Sequence, residues 1–335
     1  MKYLFELSKE HETLPKAEIL ACLRLENIDY NILESNEDVL VIETASKEDK
    51  LMKLSDRLSY TFYIDKFFFS CQPTIEQIKS CSLKNKLERE GSIAVKYKNR
   101  SESIGSQSIV KTLASIYTKN RDVTLENPDN EIRGLITDSK AYVGLKMAEI
   151  YRNQFEERKV QHRPFFSPIS LHPKLARALV NLSSIKKDET LLDPFCGTGG
   201  ILLEAGLIGA KTIGSDIEDK MTEGCKKTLN FYKIKNYDLH CSDIGDIGSY
   251  IDKVDAIVTD LPYGKSTTTR GEKIDNLYLR AFESMSKLLK KGRKAVVGIS
   301  NKDYLSIGKK YFSLVEEHDF KVHRSLNRNF AVFEQ

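Results

Sequence analysis

The chain of 335 residues lacks the features that mark membrane, secreted and metal-binding proteins. It has no run near the ~18 apolar residues that a membrane helix needs, and its most apolar stretch is interrupted by Asp193 and Glu204. The apolar run from Met1 to Leu7 is too short for a signal peptide and predicts a first strand. The six cysteines form no Cys-x-x-Cys pair and the six histidines no metal constellation, so we predict a cytoplasmic protein with buried thiols and no bound metal.

The composition is that of an ordinary globular protein. With 40% hydrophobic and 30% charged residues, a disordered, collagen-like or coiled-coil chain is excluded. The length predicts two or three domains, since one domain commonly holds about 100–200 residues. A net charge of +4 allows an anionic partner without requiring one.

The first half of the chain indicates two small α+β regions. Residues 1–70 combine strands and helices and end in an aromatic-rich segment, Tyr60 to Phe69, which we predict to be a pair of strands. Residues 71–150 add further short strands, among them Val123 to Leu125. The polar stretch that follows predicts a linker over residues 151–170.

The second half, residues 171–335, alternates short strands with helices. This pattern predicts βαβ units and an α/β, Rossmann-like fold with a mostly parallel sheet covered by helices on both faces. Two tail segments, Phe320 to Arg324 and Asn329 to Phe333, predict an antiparallel pair that closes the sheet.

A glycine-rich loop, Asp193 to Gly200, joins a strand to a helix in this region. Gly197 and Gly199 allow a tight turn and the close approach of a ligand, which the free N–H groups of the next helix would face. A nicotinamide fingerprint has glycine where Leu202 stands, and the carboxylate of Asp193 would repel a pyrophosphate. A positively charged ligand fits better, which favours S-adenosylmethionine with its ammonium and sulfonium groups.

Two further acids follow the next two strands. Asp216 stands where a carboxylate accepts hydrogen bonds from ribose hydroxyls, and Asp243 where it accepts one from an adenine amino group. Either acid alone is equally typical of a strand-end turn or a helix N-cap, and for Asp243 alone we favour that interpretation. The set of three acids favours the cofactor. The predicted cofactor-binding residues are Asp193, Phe195, Gly197, Gly199, Asp216, Ile217, Asp243 and Ile244.

The segment Asp260 to Gly264 has the residues needed to methylate the amine of a nucleobase. Such an amine is a poor nucleophile; the carboxylate of Asp260 can accept one N–H and the carbonyl of Leu261 the other, which aims the nitrogen lone pair at the methyl group. Tyr263 offers a face on which a flipped base stacks, and Pro262 stiffens the turn. Base-amine methyltransferases share an (Asp/Asn/Ser)-Pro-Pro-aromatic loop, from which Leu261 departs. The alternative is a surface turn, which the upstream glycine loop disfavours.

Taken together, the chain resembles the tRNA guanine-10 N2-methyltransferases of archaea and their eukaryotic catalytic-subunit relatives. The resemblance is carried by the loop Asp193 to Gly200, by the run Arg163 to Leu182, and by segments such as Val95 to Lys98 and Ala141 to Lys146. It implies a class I methyltransferase domain over residues 171–335, preceded by a ferredoxin-like subdomain and a THUMP RNA-binding domain. It also implies that Pro168 and Ser170 lie near the methionine end of the cofactor.

This resemblance implies methylation of the N2 amine of guanine 10 in tRNA, with no membrane partner and, as in some relatives, a small zinc-binding activator. Two alternatives stay open: a guanine at another tRNA site or in ribosomal RNA, and a non-catalytic RNA-binding protein. A thiolation enzyme is disfavoured because no Ser-Gly-Gly loop follows a strand. The THUMP resemblance also implies that a group of basic residues binds RNA. On charge alone, such a group is equally typical of a solvated face. These residues are Lys84, Lys86, Lys96, Lys98 and Arg100.

Overall fold

The computed structural model describes residues 1–101, 105–167, 170–263, 271–323 and 326–335. Within these ranges no helix is long and apolar enough to cross a membrane. The chain divides into two units, each assembled from separate stretches of sequence. The first contains Met1–Glu10, Ile28–Asp56 and Thr61–Ile150, and the second contains His11–Asn27, Arg57–Tyr60 and Tyr151–Gln335.

The first unit is built on one seven-stranded sheet in the order β2-β3-β1-β4-β7-β6-β5. Strands from residues 1–70 and from residues 71–150 therefore share a single sheet. Its strands are β1 (Lys2–Leu7), β2 (Asn31–Ser35), β3 (Val39–Glu43), β4 (Thr61–Cys71), β5 (Ile93–Asn99), β6 (Asn130–Ile136) and β7 (Ala141–Glu149), and its helices are α2 (Glu48–Lys53), α3 (Ile75–Lys84) and α4 (Ser106–Tyr117).

Two expectations about these strands are wrong. The segment predicted as a strand pair is the single strand β4, which pairs with β1 on one side and β7 on the other. It contains no glycine, proline or asparagine with which the chain could turn. Val123 to Leu125 forms no strand beyond an isolated bridge from Val123 to Ile93, and Val123 and Leu125 are exposed, so this segment buries no face.

The second unit is a doubly wound α/β sheet in the order β10-β9-β8-β11-β12-β14-β13. The first five strands in this order are parallel, and β14 pairs antiparallel with both β12 and β13, which confirms the predicted tail pair. Its strands are β8 (Thr190–Asp193), β9 (Lys211–Asp216), β10 (Tyr237–Cys241), β11 (Val254–Asp260), β12 (Leu289–Ile299), β13 (Ser313–His323) and β14 (Leu326–Glu334).

Helices cover the sheet of the second unit. They are α1 (Leu14–Leu25), α5 (Asn153–Glu157), α6 (Pro173–Leu182), α7 (Gly200–Leu207), α8 (Asp219–Phe231), α9 (Ile274–Leu288) and α10 (Leu305–Gly308). The direction of winding reverses between β8 and β11, so that the carboxyl ends of these neighbouring strands flank a crevice where ligands bind in such sheets.

Helix α1 belongs to this second unit although it lies near the N-terminus. Its buried residues Leu14, Ala17 and Ala21 share one apolar cluster with Leu175 and Leu179 of α6. The second unit thus includes a helix that lies well before residue 171 in the sequence.

Candidate active site

A cavity of about 420 Å³ opens at the carboxyl ends of β8, β9, β10 and β11. Its size suits a small-molecule ligand. The predicted site residues that line it are Ser170, Asp193, Phe195, Gly197, Asp216, Ile217, Asp243, Ile244, Asp260, Leu261, Pro262 and Tyr263. Lining residues that the sequence patterns did not single out include Thr198, Glu218, Met221, Ser242, Glu272 and Leu277.

Asp193 ends β8 and is only 2% exposed. Its Oδ1 accepts hydrogen bonds from the Thr259 hydroxyl at 2.7 Å and from the Phe195 N–H at 3.2 Å. Burial, reinforced by the nearby carboxylates of Asp260 and Asp216, raises the pKa of Asp193 to about 7. A cation placed in the cavity would therefore favour the ionised form of this carboxyl group.

The glycine-rich loop has the backbone conformation that its glycines predict. Gly199 lies in the left-handed region with φ of 79° and caps α7, and a Cβ atom there would meet the Cys225 sulfur at 2.5 Å. Gly199 thus stands behind the cavity wall. The Ser170 and Thr198 hydroxyl oxygens lie 2.9 Å apart, which ties the segment before α6 to the loop. The predicted residue Pro168 lies outside the described residues.

Asp216 joins two ligand-facing loops. Its carboxylate accepts the N–H of Gly197 and the N–H of Glu218, each at 3.0 Å. Burial raises the pKa of Asp216, whereas these backbone hydrogen bonds lower it. The acid therefore holds the loop after β8 against the turn after β9 while it lines the cavity.

Asp243 is held by a residue that the sequence patterns did not single out, Arg280 of α9. Arg280 donates from Nη1 to Asp243 Oδ1 at 2.6 Å and from Nη2 to Glu272 Oε2 at 2.7 Å. The Gly245 N–H also donates to Asp243 Oδ1, at 2.8 Å. These contacts fix the orientation of a carboxylate that lines the cavity.

Asp260 ends β11, and its two carboxylate oxygens face a hydrogen-bond donor and a cation. The Tyr263 hydroxyl donates to Oδ1, and Nη1 of Arg328 lies 3.4 Å from Oδ2. The Arg328 guanidinium also stands 5.0 Å from the centre of the Tyr263 ring. Burial raises the pKa of Asp260, and the positive charge of Arg328 opposes that shift.

Leu261, which stands where related loops have proline, anchors the turn in another way. Its N–H donates to the Gly298 carbonyl at 2.9 Å, and its side chain is fully buried in an apolar cluster. Proline has no N–H and could not make this bond. The Pro262 carbonyl accepts the Tyr278 hydroxyl at 3.2 Å, so hydrogen bonds stabilise the turn on both sides.

The predicted RNA-binding residues lie in the first unit, and they differ in exposure. Lys84, Lys86 and Lys98 are exposed, and Lys96 is 48% exposed with its Nζ 2.8 Å from Glu131. Arg100 differs, because its side chain is only 12% exposed. Its ion-pair partners are Asp38 at 2.6 Å and Glu6 at 2.9 Å. We therefore leave Arg100 out of any RNA-binding surface.

The chain shares its fold with solved methyltransferase structures. TrmN from Thermus thermophilus matches with a TM-score of 0.58 and 17% identity over the whole of both chains. A family model described as an RMKL-like methyltransferase domain matches residues 161–329, and one described as a DNA methylase matches residues 38–227. Fold and cavity together define a class I methyltransferase, and no group of residues suited to a metal ion occurs in the described ranges.

Sequence relatives identify the family within this class. The tRNA (guanine(10)-N2)-dimethyltransferase of Methanothermobacter thermautotrophicus is 35% identical over 100% of both chains. The enzyme of that name from Pyrococcus abyssi is 39% identical over 65% of this chain and 66% of its own. The chain belongs to the family of tRNA (guanine(10)-N2)-dimethyltransferases.

Proposed function

We propose that this enzyme transfers methyl groups from S-adenosylmethionine to the N2 amine of guanine 10 in tRNA. One observation carries the proposal: the acid of the base-methylating loop, Asp260, lines the same cavity as the three strand-end acids of the cofactor loops. The relatives that match over the full length or two thirds of it are named for this reaction.

The residues of the cavity fit the cofactor. The carboxylates of Asp193, Asp216 and Asp243 suit a ligand with positive groups and hydrogen-bond donors, and the cavity volume of about 420 Å³ suits its size. When bound, S-adenosylmethionine supplies an electrophilic methyl group whose bond to sulfur breaks as the new N–C bond forms. We assign the methionine end to Ser170, Asp193, Phe195 and Gly197, the ribose to Asp216 and Ile217, and the adenine to Asp243 and Ile244, all of which line the cavity.

The target amine is prepared by Asp260 and the carbonyl of Leu261, which accept its two hydrogens and leave the nitrogen lone pair facing the methyl group. The buried carboxylate of Asp260 then takes the proton that the methylated nitrogen releases. For this to happen the Tyr263 hydroxyl must leave Oδ1, which frees its ring to stack on the flipped base. Pro262 stiffens the turn between Leu261 and Tyr263.

The proposal is tested by methyl transfer from labelled cofactor to unmodified tRNA transcripts. We expect N2-methylated guanosine in the nucleoside digest, and its loss when position 10 is changed from guanine. If the label appears on another guanine of tRNA, or only on ribosomal RNA, that guanine is the target and guanine 10 is not. Cofactor binding without any transfer would favour a non-catalytic RNA-binding protein. The ratio of mono- to dimethylated product comes from the same digest.

Cofactor affinity should depend on pH through Asp193. A cationic ligand favours the ionised carboxylate, so binding must displace a proton once the pH falls below the pKa of about 7. We expect the Kd for S-adenosylmethionine to rise as the pH is lowered from about 8 to about 6, approaching tenfold per pH unit below the pKa. Isothermal titration calorimetry measures this. Asp193→Asn should bind more weakly and without that pH dependence, and a constant wild-type Kd would refute the role.

We propose a ferredoxin-like subdomain over residues 1–70 and a THUMP domain over residues 71–150. The RNA-binding part is the first unit, which contains both regions except His11–Asn27 and Arg57–Tyr60. A linker over 151–170 and the catalytic domain over 171–335 complete this assignment. Exposed lysines around the start of β5 support the RNA-binding part of it, and Tyr97 between Lys96 and Lys98 is 38% exposed and available for stacking.

The RNA surface predicts a salt effect. Replacing Lys84, Lys86 and Lys98 together by alanine should weaken tRNA binding and reduce the slope of log Kd against log salt by about two, because fewer counterions are released. Filter binding at several salt concentrations measures this. The same change of charge at Lys47, just before α2, and at Lys50 and Lys53 of α2 is the control; equal losses in both triple variants would argue against a localised surface.

A small zinc-binding activator and a cytoplasmic location complete the proposal. Strand β10 ends the second sheet, and Phe231 and Tyr250 are each 61% exposed, so this edge suits a partner that adds a strand. The six cysteines are free, as in a reducing compartment. Full turnover on tRNA by the purified chain alone would remove the need for an activator.

A further inference from the structure

Arg328 stands beside the catalytic loop although it comes from a distant part of the chain. It lies on β14, next to the position where Asn329 pairs with Ile299 of β12. Its Nη1 is 3.4 Å from Asp260 Oδ2, and it is only 9% exposed. Nε has no hydrogen-bond partner in the described part of the chain. The hydrogen-bonding capacity of this buried guanidinium is therefore not filled within the described residues, and Nη1, which faces Oδ2, has a second hydrogen that can be donated to a further acceptor.

The two side chains together present a defined row of hydrogen-bonding groups. Oδ1 of Asp260 is an acceptor, occupied in this structure by the Tyr263 hydroxyl. Oδ2 is a second acceptor, and the neighbouring Arg328 can only donate. From one end to the other the order is acceptor, acceptor, donor.

The Watson–Crick edge of guanine has the complementary order. Its N2 amine and its N1–H are donors, and its O6 is an acceptor. Adenine and cytosine also have an exocyclic amine, but the ring nitrogen beside it is an acceptor and would face Oδ2 with its lone pair. A flipped base is commonly read through this edge, and arginine to guanine O6 is the commonest specific contact with that base.

We infer that Arg328 is a specificity-determining residue that donates a hydrogen bond to O6 of the target guanine, while Asp260 accepts the N1–H and one N2–H. Nη1 has two hydrogens, so it serves Oδ2 and O6 together. The Tyr263 hydroxyl holds the place of the N2–H donor until the base arrives. This inference rests on the proposed function, because it requires guanine as the substrate.

The test compares two bases at position 10 of the same tRNA transcript. One transcript has guanine and the other has 2-aminopurine, which keeps the N2 amine but lacks O6 and the N1–H. The wild-type enzyme should prefer guanine in kcat/KM. In Arg328→Met the ratio of the two kcat/KM values should fall by about 10- to 100-fold, beyond any loss common to both substrates. Arg328→Lys, which keeps a donor and the charge, should restore part of the ratio.

Several outcomes separate this inference from its alternatives. Equal slowing of both substrates, with the ratio unchanged, would mean that Arg328 only holds Asp260 in place and would overturn the inference. A wild-type enzyme that fails on guanine 10 would overturn the proposed function and the inference with it. Cofactor binding reports folding; if Arg328→Met fails that check, Arg328→Gln is judged by the same ratio. Arg293→Met, at the other end of β12, should leave the ratio unchanged.

Discussion

Asp260→Asn should reduce methyl transfer by about 10²- to 10⁴-fold, the usual contribution of a positioned proton acceptor. Asparagine keeps nearly the same volume, which matters because Asp260 packs against Gly298 so closely that a Cβ atom there would meet Oδ1 at 2.3 Å. It cannot take a proton from the methylated nitrogen, and its amide N–H would oppose an N–H of guanine. Single-turnover transfer to tRNA measures the loss, and the Kd values for S-adenosylmethionine and tRNA should change little.

The control for this experiment removes a carboxylate close in sequence but outside the cavity. Asp252 is exposed in the turn before β11, so Asp252→Asn should keep wild-type turnover. Undiminished transfer by Asp260→Asn would exclude this residue as the proton acceptor. Loss of cofactor binding in the same variant would instead mean that Asp260 stabilises the cavity.

The pH profile offers a second measurement on Asp260. Burial raises the pKa of this carboxyl group, and only the ionised form can accept a proton. The rate of the wild-type enzyme at saturating cofactor should therefore fall as the pH decreases through the raised pKa. Asp260→Asn should lose this limb of the profile.

The cofactor loops could be predicted because their signals are local. The segment Asp193 to Gly200 combines a strand end, glycines at two special positions and a helix start, all within eight consecutive residues. Since the carboxyl ends of parallel strands meet at one edge of the sheet, Asp216, Asp243 and Asp260 could be placed together without coordinates. Their shared cavity agrees with that reasoning.

The positions of two arginines could not be predicted, because their contacts are with partners distant in sequence. Arg328 reaches Asp260 only because β14 pairs with β12, and no local pattern distinguishes it from the other basic residues. Arg100 is the opposite case, because the sequence predicts a role in RNA binding and the structure buries the side chain. It stands in a run of positive charge, yet its acidic partners Glu6 and Asp38 come from β1 and from the turn before β3 and bury it.

The packing of helix α1 also could not be predicted from the sequence. An amphipathic pattern indicates that one face of a helix is covered, but it does not indicate by which part of the chain. The sequence order suggested the N-terminal region, whereas Leu14, Ala17 and Ala21 pack in the apolar cluster of the second unit. The buried acid Glu18 adds hydrogen bonds to the same contact.

Glu18→Ala should therefore destabilise the second unit by about 3–5 kcal/mol, since each buried polar group left without a partner costs about 1–3 kcal/mol. The Glu18 carboxylate is fully buried and accepts the Ser59 hydroxyl at 2.7 Å, the Tyr60 N–H at 2.9 Å and the Asn181 amide at 2.8 Å. Alanine makes none of these hydrogen bonds. Hydrogen exchange of peptides from α6 and β8, with guanidinium unfolding, measures the loss.

The exposed residue Glu12, just before α1, is the matched control, and Glu12→Ala should change the unfolding free energy by less than about 0.5 kcal/mol. If Glu18→Ala increases exchange only in the first sheet and leaves α6 protected, α1 stabilises the first unit and its place in the catalytic unit is wrong. If α6 and β8 lose protection together, the catalytic domain needs a helix from residues 14–25. In that case a chain that begins at residue 151 will not fold into an active methyltransferase, because Asn181 and the apolar face of α6 would remain uncovered.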